Sequence, residues 1–217
     1  MHGNIRALDA VLAEVPGDAA ILVGGDVAAG PFPQETVDRL RALGGRVKWI
    51  RGNADRELTP DEPGLAPPET MAWLRERVDS STIAWLHALP PTLEWDVPGL
   101  GRVLFCHATP ENDVDIFTER TPESDIAGQF AVDADLVVCG HTHTQFERAI
   151  GGVRVVNSGS VGMPYEDEPG AYWTLLGPDV EFRHSRYELD TGDYPFEWPS
   201  SSREEAVSFF EERAVRA

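Results

Sequence analysis

Six residues able to hold a metal ion sit at the edges of apolar runs in this chain: His2, Asp26, Asn53, His107, His141 and His143. The densest stretch is Leu136-Val137-Val138-Cys139-Gly140-His141-Thr142-His143, four apolar residues and a glycine followed by two imidazoles one residue apart. In an extended segment, side chains at i and i+2 share a face. His141 and His143 are therefore expected to look into one pocket just past a strand end, where open α/β sheets place ligands. Neutral imidazole is the commonest metal ligand among side chains, so the chemistry on offer is metal binding. Taken alone, a His-x-His reads equally well as two solvated loop residues, and the weight falls on its company. Gly25-Asp26, Gly52-Asn53 and Cys106-His107 each close an apolar run, and His2-Gly3-Asn4 precedes a helical pattern. Glycine supplies the tight turn or close backbone approach that such a site needs. Singly, Asp26 and Asn53 are ordinary turn residues, and His107 an interior histidine. Together, carboxylate, imidazole and carboxamide make a donor set suited to Mn, Fe, Zn or Ni.

Such ligands need strands that end at a common edge and helices that cover them. Residues 4–15 carry Ile5, Leu8, Val11, Leu12 and Val15 at helical period, with Asn4 as N-cap. Residues 19–23 are a short apolar run before Gly24-Gly25-Asp26. Pro33 opens a second helix through Val37, Leu40 and Leu43, which Gly44-Gly45 ends. Residues 47–50 predict a strand running into Arg51-Gly52-Asn53, and residues 56–68, rich in Pro, Asp and Glu, read as a loop. Residues 69–78 and 81–89 look helical, 102–106 form a strand ending at His107, and 121–132 read as a helix. Strands are expected at 153–156, 171–176 and 180–187, and an amphipathic, charged helix at 202–216 that packs either in cis or across a dimer. Alternating strand and helix followed by a run of strands predicts an α/β layered fold with a two-sheet core, one domain over residues 1–217.

A chain of 217 residues, 41% hydrophobic and 25% charged, is long enough for one domain with a full core. No apolar run approaches the roughly 20 residues that span a bilayer, and the start lacks a basic-then-apolar leader. The expectation is a soluble, cytoplasmic protein without a membrane partner. Cys106 and Cys139 lie inside apolar runs and read as buried thiols. A net charge of -19 shows no basic patch for a nucleic-acid backbone. An anionic substrate would then depend on bound cations dominating the local field. His87 and His184 read as structural, and Trp73, Trp85 and Trp95 as core or lid packing. A homo-oligomer is compatible with all of this.

The ordered motifs His2-Gly3-Asn4, Gly25-Asp26-Val27, Gly52-Asn53-Ala54-Asp55, His107 and Gly140-His141-Thr142-His143 resemble the calcineurin-like metallophosphoesterases. Asn157-Ser158-Gly159-Ser160-Val161-Gly162 resembles a turn of their small prokaryotic phosphodiesterase branch. The resemblance implies a four-layer α/β/β/α sandwich and two divalent ions, manganese first, with iron, zinc or nickel as alternatives. One ion would be held by His2, Asp26 and His143, and the other by Asp26, Asn53, His107 and His141, with Asp26 bridging. Asn53 and His107 would also be candidate phosphate contacts; Asp55 reads either as orienting a neighbour from behind or as capping a loop. The implied reaction is hydrolysis of a small phosphodiester by a metal-bridging hydroxide attacking in line, with no protein nucleophile. The other class of function is a non-catalytic metal-binding or interaction module on the same fold.

Two positions depart from the family pattern. The family motif is Asp-x-His-Gly-Asn at the end of a central strand, and Met1 occupies the x position, so the aspartate and its strand are missing. The expectation is a recorded start inside a longer reading frame; otherwise the first site keeps three ligands and binds its metal more weakly. The second departure is Ala54, where many members carry the histidine taken as the acid that protonates the leaving group. Such help is worth about 10²–10⁴-fold. Alanine therefore implies a preference for activated phosphodiesters over alkyl monoesters.

Overall fold

The computed structural model describes residues 1–60, 62, 64–188 and 202–214. Chain order begins α1 (Ile5–Glu14), β1 (Ile21–Val23), α2 (Pro33–Arg41), β2 (Val47–Trp49), α3 (Asn53–Glu57), α4 (Pro68–Arg75) and α5 (Ser80–His87). It continues β3 (Thr92–Val97), β4 (Gly101–Cys106), α6 (Glu123–Ile126), β5 (Leu136–Cys139), β6 (Gln145–Ile150), β7 (Val153–Ser158), β8 (Ala171–Leu176), β9 (Val180–Ser185) and α7 (Arg203–Glu211). Asn4 caps α1 as its spacing predicts, its Oδ1 accepting from the Ala7 amide at 3.1 Å. Among the described residues no helix is long and apolar enough to cross a membrane.

The largest sheet has the order β3-β4-β5-β7-β6. Its centre, β4, β5 and β7, is parallel, and its edges β3 and β6 are antiparallel. All four residues of β5 are buried, the mark of a central parallel strand covered on both faces. One face, with Leu104, Val137 and Val155, packs on Phe117, Ile126 and Phe130. The other, with Val103, Phe105 and Val138, meets Leu22 of β1 and Leu176 of β8. Beyond that second layer, α1 and α2 pack on β1 and β2 through Leu8, Val37 and Leu40. The result is the mixed α/β sandwich expected from the sequence.

The second layer comes in two pieces. β1 pairs in parallel with β2, and β8 pairs with β9 as an antiparallel hairpin. Between β1 and β8 runs an apolar slot of about 410 Å³, roofed by Leu8, Val11 and Leu12 of α1 and floored by Phe105 and Val138. Met1, Gly24 and Gly25 line it too, and it opens toward His2, Asp26, His107, His141 and His143.

Several sequence expectations are corrected. Residues 121–132 are not one helix: a single α turn at Glu123–Ile126 is followed by a 3-10 turn at Ala127–Phe130. Gly128 lies inside the latter, and glycine disfavours a continuous helix. The stretch read as a loop from residue 56 begins inside α3, which is too short for periodicity to show. β3 and β6 escape an apolar-run reading because edge strands carry polar residues: Glu94 and Asp96 are exposed in β3, and Glu147 in β6. The C-terminal helix packs in cis, through Ala206, Val207 and Phe210. The end of its predicted span, 215–216, lies outside the described residues.

Candidate metal centre

The loops that follow β1 and β2 approach too closely for side chains at their glycines. A Cβ on Gly25, which has φ +93°, would come within 2.4 Å of the Gly52 amide, and one on Gly52 within 2.3 Å of Asp26 Oδ1. Asp55 fastens these loops together. Its Oδ2 accepts from the amides of Asp26 at 2.7 Å and Gly52 at 3.0 Å, and its Oδ1 accepts from Val27 at 2.8 Å. Burial, with the nearby charge of Asp26, pushes the Asp55 carboxyl up to about 6.

Asp26 is held at the centre. Its Oδ1 accepts from the Ala54 amide at 2.8 Å, which leaves Oδ2 to the cavity. That oxygen lies 3.3 Å from His107 Nε2 and 3.6 Å from His2 Nε2. Two groups of donors meet there, with all ligand atoms in each within 4.8 Å of one another: His2, Asp26 and His143, and Asp26, His107 and His141. Asn53 joins the second, its Oδ1 3.1 Å from His107 Nε2.

His141 and His143 line one cavity, but they do not stand side by side as side chains of an extended segment would. They have φ values of +67° and +62°, so the chain turns left-handed at each, and the two rings enter different donor groups. Asn157 holds this turn, its Nδ2 donating to the Gly140 carbonyl at 2.6 Å and to Thr142 Oγ1 at 2.9 Å. Among the described residues the non-glycine positions with positive φ are His2, Asp26, His141 and His143. Left-handed backbone at such residues costs of order 1–3 kcal/mol each and clusters at functional sites.

Neighbours fix the tautomers of three rings. His2 Nδ1 faces the Ala29 carbonyl at 3.2 Å and His107 Nδ1 the Gly24 carbonyl at 2.7 Å, so each donates there and turns Nε2 inward. His141 Nε2 faces the Val114 carbonyl at 3.3 Å, which leaves Nδ1 as its ligand atom. Such carbonyl partners orient metal-binding histidines. His143 stacks on Tyr165, and its buried Nδ1 has no hydrogen-bond partner among the described residues.

Burial, aided by the N-terminal charge, lowers His2 to about 4; burial and His107 do the same to His141. Burial also holds His143 well below its ordinary value. Burial alone would lower His107 as well, but the charge and hydrogen bond of Asp26 outweigh it and leave His107 raised. Asp26 shows the reciprocal effect, pushed up by burial but held well below the usual range by His107 and then His2. The point between Asp26 Oδ2, Asn53 Oδ1 and His107 Nε2 thus calls for positive charge, a proton or a cation. Imidazole nitrogens of His2, His107, His141 and His143 with oxygens of Asp26 and Asn53 make a donor set that fits divalent metal ions.

Reading the sequence alone missed three residues that shape the centre. Glu57, buried in α3, contacts Asn53. Tyr165 stacks on His143 and meets Phe210 of α7. Gln145 anchors Ser158 and Trp173 carbonyls at the rim. Tyr165 and Gln145 act through contacts distant in the chain, whereas Glu57 stands one helical turn after Asn53 in a helix too short to show in the sequence. His87 contacts Thr59, and His184 stacks on Tyr172; both lie outside the donor groups.

The sequence matches the family model of the calcineurin-like phosphoesterase superfamily domain over residues 1–176. Among solved structures the chain is similar to a metallophosphoesterase from Sphaerobacter thermophilus, with 24% identity, TM-score 0.69 and 86% of this chain and 85% of that chain covered. It is also similar to hypothetical protein PH1004 from Pyrococcus horikoshii OT3, with 22% identity, TM-score 0.71 and the same coverage, 86% and 85%. Yfce, a phosphoesterase from E. coli, is 21% identical with a TM-score of 0.50, covering 86% of this chain and 96% of that one. These likenesses establish a shared fold. No curated protein sequence matches the chain. The family implies divalent metal ions, which the two donor groups around Asp26 could hold. With its family model covering residues 1–176, this chain belongs to the calcineurin-like phosphoesterase superfamily, and its function is of phosphoesterase type.

Proposed function

We propose that this chain is a two-metal phosphodiesterase acting on a small phosphodiester. The observation that carries the reading is Asp26 Oδ2, placed within 3.3 Å of His107 Nε2 and 3.6 Å of His2 Nε2, so that one carboxylate serves both donor groups. In this reading His2, Asp26 and His143 hold one ion, and Asp26, Asn53, His107 and His141 the other. Two divalent cations, manganese first, would supply Lewis acidity and an activated water at neutral pH.

The chain's own residues prepare that chemistry. Asp55 sets the loop geometry that presents Asp26, and the carbonyls of Ala29, Gly24 and Val114 fix which ring nitrogen of His2, His107 and His141 faces inward. Burial keeps His2, His141 and His143 neutral near pH 7, so those lone pairs are available. Asn53 and His107 are also proposed phosphate contacts. Ala54 offers the site a backbone amide, which Asp26 takes, and no side-chain proton. The leaving group must then depart without an acid at that position, which favours substrates with stable leaving groups.

Metal analysis together with a bis-p-nitrophenyl phosphate assay with added manganese tests the reading. Two metal equivalents and turnover are expected. Metal uptake without turnover at any manganese concentration would instead mark a non-catalytic module on this fold.

A further inference from the structure

Glu57 is 1% exposed, and burying a carboxylate is costly without strong compensation. Its Oε1 accepts from Asn53 Nδ2 at 2.9 Å, and its Oε2 accepts from the Ala66 amide at 3.2 Å. Gly64 packs directly on it, where a Cβ would come within 2.4 Å of Oε2. A neutral glutamine would accept from Ala66 equally well, so the loop contact alone does not explain the acid.

Asn53 does explain it. The two ends of a carboxamide are alike in shape and opposite in chemistry: one accepts, the other only donates. Their orientation is decided by partners. Both Glu57 oxygens accept, Oε2 from Ala66 and Oε1 from the Nδ2 end of Asn53, and Oδ1 is then turned toward His107 Nε2, 3.1 Å away. Asn53 and Glu57 stand four residues apart in α3, on one face of the helix. We infer that Glu57 is a positioning residue for the metal centre, holding the Asn53 carboxamide with its oxygen toward the ion shared with Asp26, His107 and His141. In the turned orientation, Nδ2 would face that ion with hydrogens in place of a lone pair and would bond His107 Nε2 instead. The inference rests on Asn53 being a ligand.

Glu57→Gln separates orientation from packing. Its Oε1 can still accept from Ala66, while its Nε2 can donate to Asn53 Oδ1 and turn that carboxamide over. Titration with cobalt(II), followed by the visible absorption of the bound ion, should show the tighter site weakened by about 10- to 100-fold, the range typical of residues that orient ligands, with an altered spectrum. Unchanged cobalt affinity and spectrum in Glu57→Gln would overturn the inference. Nuclear magnetic resonance of the metal-free wild-type protein gives an independent reading, even where Glu57→Gln does not fold. Slow solvent exchange of the Asn53 carboxamide protons supports the bond to Glu57, and exchange as fast as that of a free carboxamide overturns it. Failure of the wild type to take up cobalt would count against the two-metal reading itself, and the exchange measurement would still decide the orientation.

Discussion

The Nε2 atoms of His2 and His143 lie 3.0 Å apart, with ring centroids separated by 4.6 Å at an interplanar angle of 70°. The Ala29 carbonyl fixes the proton of His2 on Nδ1, so its Nε2 presents a lone pair. Among the described residues His143 has no such partner, since its Nδ1 is buried and unpaired. The two rings are therefore unequally prepared: His2 arrives oriented as a ligand, and His143 is held by stacking on Tyr165.

On the proposed two-metal reading, the looser hold on His143 ranks its donor group below the other. The group of Asp26, Asn53, His107 and His141 offers four protein donors with pinned tautomers for both rings, and the His143 group offers three. His141→Ala should abolish the metal held most tightly, while His143→Ala should remove the weaker equivalent and leave the other in place. Metal content after dialysis, measured by mass spectrometry, checks this; equal losses in the two variants would contradict the ranking.

Asp55→Asn should loosen the centre without touching a donor atom. One oxygen becomes a donor, and amides of Asp26, Gly52 or Val27 lose their acceptor. Each buried N–H left unpaired costs about 1–3 kcal/mol. Denaturant unfolding should report a loss of that size, with weaker metal binding beside it.

Substrate preference follows from Ala54. Metal-loaded protein should hydrolyse an aryl phosphodiester faster than an alkyl phosphomonoester, because no side chain at position 54 can protonate a poor leaving group. Rate comparison on the two substrates is sufficient, and faster turnover of the alkyl monoester would refute it.

Alkaline pH should destabilise the fold through its thiols. Burial pushes Cys106 up to about 12 from an ordinary value of 9.0, and Cys139 well above it too. The folded state then keeps protons that the unfolded chain releases. Each thiol's contribution is constant below about pH 9, and stability falls as pH rises from 9 toward 12, by about 1.4 kcal/mol per thiol per pH unit. Unfolding free energies at pH 8 and pH 10 should show this slope, and Cys106→Ala should reduce it. Native protein at pH 8 should leave both thiols unreactive toward a disulfide reagent.

Much of this protein was legible in its sequence because the carriers of the signal are local. Apolar runs such as Leu136–Cys139 mark buried central strands, and Gly25 and Gly52 mark close approaches, because a backbone without Cβ is needed there. The order of His2, Asp26, Asn53, His107, His141 and His143 sufficed to name a family. Edge strands β3 and β6 were not legible, since a half-exposed strand needs no apolar run.

Tertiary structure alone decided how those residues meet. Spacing put His141 and His143 on one face, but left-handed turns at both, held by Asn157, send them to different donor groups. Likewise, nothing local in the sequence says that the Asn53 carboxamide meets His107, or that Phe210 of the last helix reaches Tyr165 beside His143. Periodicity reports which side of an element faces the core. Which oxygen or nitrogen faces a site depends on hydrogen-bond partners that only the folded chain brings within 3 Å or so.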